Sequence, residues 1–113
     1  MHELSLAQRI CETVKRNLPP GKRVRSVVIE AGPLSGVVQE ALEFGFEIVS
    51  KAMGLDGARL EYRKLTAPGT CPACQARFEV SEMWARCPRC EHEPVTVEGG
   101  SEFCLKEIEV DDV

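Results

Sequence analysis

Cys71-Pro72-Ala73-Cys74 and Cys87-Pro88-Arg89-Cys90 stand twelve residues apart in a chain of 113. A Cys-x-x-Cys pair lets two thiolates from one tight turn reach the same ion, and a second such turn closes a tetrahedron of the kind structural zinc favours. The intervening stretch, Gln75 to Arg86, is long enough for a short β-hairpin that brings the two turns together. Iron suits the same four-thiolate cage. A pair of disulfides is the remaining use of four cysteines. It is disfavoured here, because the N-terminus shows no basic region followed by an apolar run. No stretch approaches the roughly 20 apolar residues that span a bilayer. The expected setting is therefore the reducing cytoplasm, where clustered cysteines serve metals.

The chain as a whole has a modest apolar content, 43%, with only 5% aromatic residues. That supports one small domain carrying a metal module whose stability leans on its ion. The formal net charge is -4. Between Ala67 and Val97 three arginines (Arg77, Arg86, Arg89) face four glutamates (Glu79, Glu82, Glu91, Glu93). Zinc held by four thiolates adds about two more negative charges. A nucleic-acid reader needs a cationic face to displace counterions from phosphates, and this region has none.

Leu4, Ala7, Cys11, Val14 and Leu18 recur at helical steps and predict an amphipathic helix from Leu4 to Leu18, ended by Pro19-Pro20-Gly21. Ser5 and Gln8 have the spacing of a capping box. Cys11 lies on the apolar stripe and reads as a buried small hydrophobe. Val24 to Ala31 reads as a strand, with Val27, Ile29 and Ala31 on one side. A turn through Gly32-Pro33 and Ser35-Gly36 leads to a second helix from Val37 to Lys51, with the stripe Val38, Leu42, Gly45, Val49, Ala52. Gly45 predicts a close approach of backbones. Of Phe44 and Phe46, one is expected inside and the other at the rim.

Ala58 to Leu65 alternates as a strand, with Leu60 and Tyr62 on one face. Glu102 to Val110 forms the last strand, with Asp111 and Asp112 fraying its end and Cys104 structural. The expected fold is α+β: a small sheet of three strands with two helices, plus an inserted four-cysteine zinc-ribbon module. The expected domains are 1–66 with 101–113, a nickel-binding domain that carries the N-terminal nitrogen donors, and 67–100, a zinc-binding domain. Entry to and exit from the insert lie close together if its flanking strands are sheet neighbours.

Met1-His2-Glu3 has chemistry only at a free N-terminus. A bulky second residue leaves the initiator methionine in place, so Met1 is expected to carry the α-amine. That amine, the His2 amide nitrogen and the His2 imidazole Nδ1 chelate one ion through fused five- and six-membered rings. Planar nitrogen donors suit Ni(II) or Cu(II) better than zinc. Water, a partner protein or His92 would close the fourth position, and the Glu3 carboxylate would act behind the ligands or axially. His92 by itself reads as an exposed residue after the second cysteine pair.

Across nearly its whole length the chain resembles the HypA/HybF family, the nickel metallochaperones of nickel–iron hydrogenase maturation. The likeness runs through Met1-His2-Glu3-Leu4-Ser5-Leu6-Ala7-Gln8, Val28-Ile29-Glu30-Ala31-Gly32-Pro33-Leu34-Ser35-Gly36-Val37, Glu40-Ala41-Leu42-Glu43-Phe44, the paired cysteine motifs and Lys106-Glu107-Ile108-Glu109-Val110. The resemblance implies permanent Zn(2+) on Cys71, Cys74, Cys87 and Cys90, and Ni(2+) held loosely by His2 with the Met1 amine. It also implies the GTPase HypB and the immature hydrogenase large subunit as partners, and in some bacteria service to urease. The rivals are a zinc-ribbon nucleic-acid or transcription module and an iron–thiolate electron carrier. No nucleophile–base pair that would make an enzyme is legible.

Overall fold

The computed structural model describes residues 2–113. Its elements are α1 (His2–Asn17), β1 (Lys22–Ala31), α2 (Gln39–Ala52), β2 (Arg59–Lys64), β3 (Ala67–Thr70), β4 (Arg77–Val80), β5 (Thr96–Val97) and β6 (Phe103–Asp112). They form two helices and two three-stranded sheets, ordered β2-β1-β6 and β4-β3-β5. This is an α+β fold with a four-cysteine module. The chain divides into two compact units, one of Met1–Ile29, Val37–Tyr62 and Leu105–Val113, the other of Glu30–Gly36 and Arg63–Cys104. No helix among the described residues is long and apolar enough to cross a membrane.

In the first unit, α1 buries Ala7, Ile10, Cys11 and Val14, which recur at helical spacing. The helix begins at His2, two residues earlier than its apolar stripe suggests. Ser5 is therefore inside the helix rather than at its cap, and the expected capping box does not form. Glu3 supplies the first turn with the negative charge that a helix start favours. Pro19 and Pro20, which lack the N–H a helix needs, follow its end.

α1 packs against α2, whose buried residues are Leu42, Gly45, Phe46, Val49 and Ser50. Phe46 is inside at 3% exposure and Phe44 outside at 67%. Gly45 is where the helices come together: a Cβ there would lie 3.5 Å from Leu4 Cα and from Ala7 Cβ. That is ordinary contact, so the approach is close without requiring glycine. The expected stripe misplaced its ends, since Val38 and Ala52 are exposed. Val38 is the residue before the first helical turn, where helical spacing no longer assigns a face.

On β1, the successive residues Val27, Val28 and Ile29 are all essentially fully buried. Side chains alternate along a strand, so both faces are covered at this level rather than one. β6 runs on through Asp112. Lys22 pairs with Asp112, and Arg25 lies 3.6 Å from Glu109 and 3.7 Å from Asp111. These exposed pairs are each weak. Together they give the terminal acids partners, so the expected fraying is absent.

β1 lies between β2 and β6. The strands that flank the inserted module are therefore not neighbours, so the condition for its entry and exit to lie side by side is not met.

In the second unit β3 is the central strand. It pairs antiparallel with β4 (Ala67↔Val80 to Thr70↔Arg77) and with β5 (Gly69↔Val97, Thr70↔Thr96). Only β4 comes from the stretch between the two cysteine motifs, so no hairpin forms within that stretch. The hairpin is β3–β4 instead, with the first motif at its tip. Gly69 leaves room for the buried Val80 side chain of the paired strand, because a Cβ there would collide with Val80 Cγ2. Trp84, the one tryptophan of the chain, stands 87% exposed on the loop after β4.

Candidate metal centre

β3 ends at Thr70 and delivers Cys71 directly into the first turn. The second turn, Cys87 to Cys90, precedes β5. The two turns have one construction. In the first, the Cys71 N–H donates to Ala76 O at 2.9 Å and the Gln75 N–H to Cys71 O at 2.9 Å. In the second, the Cys87 N–H donates to His92 O at 3.0 Å and the Glu91 N–H to Cys87 O at 2.9 Å. Backbone amides then turn onto sulfur. The N–H groups of Ala73 and Cys74 reach Cys71 Sγ, and that of Arg89 reaches Cys87 Sγ, each at 3.4 Å.

The four sulfurs all lie within 4.8 Å of one another. The nearest approaches run between turns, Cys71 to Cys90 at 3.6 Å and Cys74 to Cys87 at 3.7 Å. A disulfide needs about 2.05 Å, and all the cysteines are free. Four sulfurs about 2.3 Å from one central ion would sit about 3.8 Å apart at the corners of a tetrahedron. The cluster has that size.

Burial raises the Cys71 thiol, but the amides of Cys74 and Ala73 and the neighbouring thiols outweigh it and hold the group below its usual range. Cys87 follows the same logic: burial raises it, and the amides of Cys90 and Arg89 bring it down to about 6. Cys90 behaves oppositely. The His92 amide lowers it, yet the Cys71 thiol, burial and the other two thiols push it up to about 12. Four thiols this close ionise together only when a cation compensates the charge.

Sequence spacing did not single out Gln75 and Glu91. Each follows the second cysteine of its motif and takes a left-handed backbone, with φ of 67° and 64°. Their common offset is the signal that could have found them. A left-handed conformation costs a side-chain-bearing residue about 1–2 kcal/mol and glycine almost nothing. Gln75→Gly and Glu91→Gly are therefore expected to leave the four-sulfur cluster intact and raise the unfolding free energy of the metal-loaded chain by up to about 1 kcal/mol each. Denaturant melts of the two variants check this.

The other predicted site residues are placed as follows. His2 is the first residue of α1, with its side chain 67% exposed. The first N–H groups of a helix have no intrahelical acceptor, so the His2 amide can serve a ligand without breaking a helical bond. Glu3 is turned away from solvent. Its Oε2 accepts the Val38 N–H at 3.0 Å and lies 4.0 Å from His2 Nδ1. That amide bond holds the carboxyl below its usual range. Glu3 thus ties the start of α1 to the entrance of α2. The Met1 amine lies outside the described residues.

His92 belongs to the second unit, with its carbonyl engaged by Cys87 and its side chain exposed. Cys11 is buried, which pushes its thiol up to about 11. Cys104 is exposed and stands apart from the four-sulfur cluster.

A family model described as hydrogenase/urease nickel incorporation, metallochaperone, hypA, matches residues 1–110. A hydrogenase maturation factor HypA of Geotalea uraniireducens is 42% identical over 111 residues, covering 98% of this chain and 100% of its own. A protein of the same name from a Geobacter species, strain M21, is 40% identical over the same length and coverage. The solution structure of the Ni metallochaperone HypA from Helicobacter pylori shares the fold, with a TM-score of 0.54 at 21% identity over 95% of each chain.

Proposed function

This chain belongs to the HypA family of hydrogenase and urease nickel incorporation metallochaperones, and we propose that it carries Ni(2+) at its N-terminus and delivers it during nickel–iron hydrogenase maturation. Urease is a second client in this reading. The ligands are the His2 imidazole and amide with the Met1 amine, and Glu3 stands behind them. Cys71, Cys74, Cys87 and Cys90 hold a structural Zn(2+). The nickel-binding domain is 1–66 with 101–113, and the zinc-binding domain is 67–100. The protein works in the cytoplasm, with the GTPase HypB and the immature hydrogenase large subunit as partners.

The observation that carries this reading is the contrast between two donor sets. One is a four-sulfur cluster with two sulfurs fully buried and amides aimed at them. Such a closed site retains its ion. The other is an exposed histidine at a helix start, where an ion is open to a receiver. A carrier needs the second property and a scaffold the first.

The exposed donors also explain why the chain acts as carrier rather than catalyst. Nickel bound there meets a partner's ligands without any movement of the fold. Copper binds planar nitrogen donors more tightly than nickel, so the partner and the metal supply select the cargo. Masking the α-amine tests the assignment. Chain with a short N-terminal extension is expected to keep its zinc and to lose nickel binding in equilibrium dialysis. Equal nickel loading of extended and native chains would refute it.

A further inference from the structure

α2 carries two apolar arcs, and the fold uses one. Leu42, Gly45, Phe46 and Val49 are buried. Ala41, Phe44, Ile48 and Ala52 recur at steps of three and four on the other side, and all are exposed. Residues so spaced form one continuous stripe on a helix surface. Phe44 is 67% exposed and Ile48 49%. Leu4, 41% exposed, adjoins the stripe, since its side chain lies against Gly45. Single exposed apolar residues are ordinary, but a contiguous stripe containing a bare phenylalanine marks an interaction surface.

Charge indicates what covers it. Glu40, Glu43 and Glu47 line one flank of the stripe. Within that flank Glu43 accepts a hydrogen bond from Gln39 Nε2 at 3.1 Å, and Lys51 reaches Glu47 at 3.7 Å. Three carboxylates against one ammonium leave an anionic border. A second copy would bring like charge to this border, whereas a cationic partner is attracted and oriented by it.

We propose that the exposed face of α2, with Leu4 at its margin, docks an amphipathic helix of a partner protein whose apolar stripe is bordered by lysines or arginines. Phe44 and Ile48 are the anchors, set at the one-turn spacing by which a helix reads a groove or another helix. The glutamates fix direction and speed encounter. The surface does not depend on which ion the N-terminus holds, so it stands or falls separately from the nickel assignment.

The test uses the full zinc-loaded chain and two synthetic helical peptides of about five turns, roughly 18 residues. Both carry a leucine stripe, bordered by lysines in one and by glutamates in the other. The lysine-bordered peptide is expected to bind, with amide shift changes centred on Phe44 and Ile48. Its affinity should fall as salt screens the border. Phe44→Ser and Ile48→Ser change exposed positions and leave the fold intact, and each is expected to weaken binding about tenfold or more. Glu43→Lys with Glu47→Lys is expected to weaken it further and to admit the glutamate-bordered peptide. Shifts centred elsewhere, equal binding of the two peptides, or unchanged affinity in Phe44→Ser would overturn the proposal. So would a dimer in sedimentation that Phe44→Ser dissolves, because the face would then be covered by a second copy.

Discussion

Cys87→Ala is expected to unfold the second unit and release its metal, leaving the helical unit folded. Among the described residues, twelve of the seventeen buried apolar side chains belong to the first unit, from Ala7 through Leu55. The second has Ala31, Ala67 and Val80 besides Cys71 and Cys87. Burying a valine contributes about 1.5–3 kcal/mol, and an alanine less. Zinc on four thiolates contributes about 10–16 kcal/mol of apparent binding energy at neutral pH. With zinc bound as proposed, the ion rather than the apolar contacts is expected to decide whether that unit folds.

Removing one buried thiolate leaves three ligands and an open corner, and a strong chelator should produce the same state without mutation. Amide spectra of the variant should show collapsed dispersion for Ala67–Val97 and native positions for α1 and α2. Full dispersion of both units with the metal absent would sink the assignment of a structural ion.

The second large effect falls on nickel. His2→Ala removes an imidazole and with it the six-membered ring of the proposed chelate. Loss of groups that merely support a ligand costs about 10–100-fold in metal affinity, so loss of a direct ligand is expected to cost more than about 100-fold. Zinc content and helicity should not change, since the His2 side chain is mostly exposed and no buried contact is removed. Protons compete for the same nitrogens, so native affinity should fall on acidification, and this pH dependence should flatten in the variant. Isothermal titration across pH checks both. Nickel affinity in His2→Ala equal to that of the native chain would remove the N-terminus from the site.

What the sequence disclosed, and what it hid, follows from how local each determinant is. The cysteine cage was legible because each Cys-Pro-x-Cys turn presents its thiolates over four residues, whatever surrounds it. The buried side of α1 was legible from the spacing of Ala7, Cys11 and Val14. That Phe44 and Phe46 part company was legible too, because two residues 200° apart on a helix cannot share a face; which of them turns inward was not.

Strand partnership was not legible. β4 pairs with β3 across the first cysteine turn, and β1 separates β2 from β6. Neither choice is written in any one segment. The left-handed backbone at Gln75 and Glu91 was hidden because neither residue is glycine, the usual marker of such a position. The C-terminal end of β6 was misread for a similar reason: Asp111 and Asp112 look like a solvated tail until Arg25 and Lys22 are found beside them.

The lone indole has a consequence for how this molecule can be watched. Trp84 projects from the cysteine-bearing unit, while both helices lie in the other. Intrinsic emission therefore follows the loop beside the cysteine turns, and far-ultraviolet ellipticity follows chiefly α1 and α2. A melt recorded by either signal alone describes half the protein, and a gap between the two midpoints would measure how independently the halves come apart.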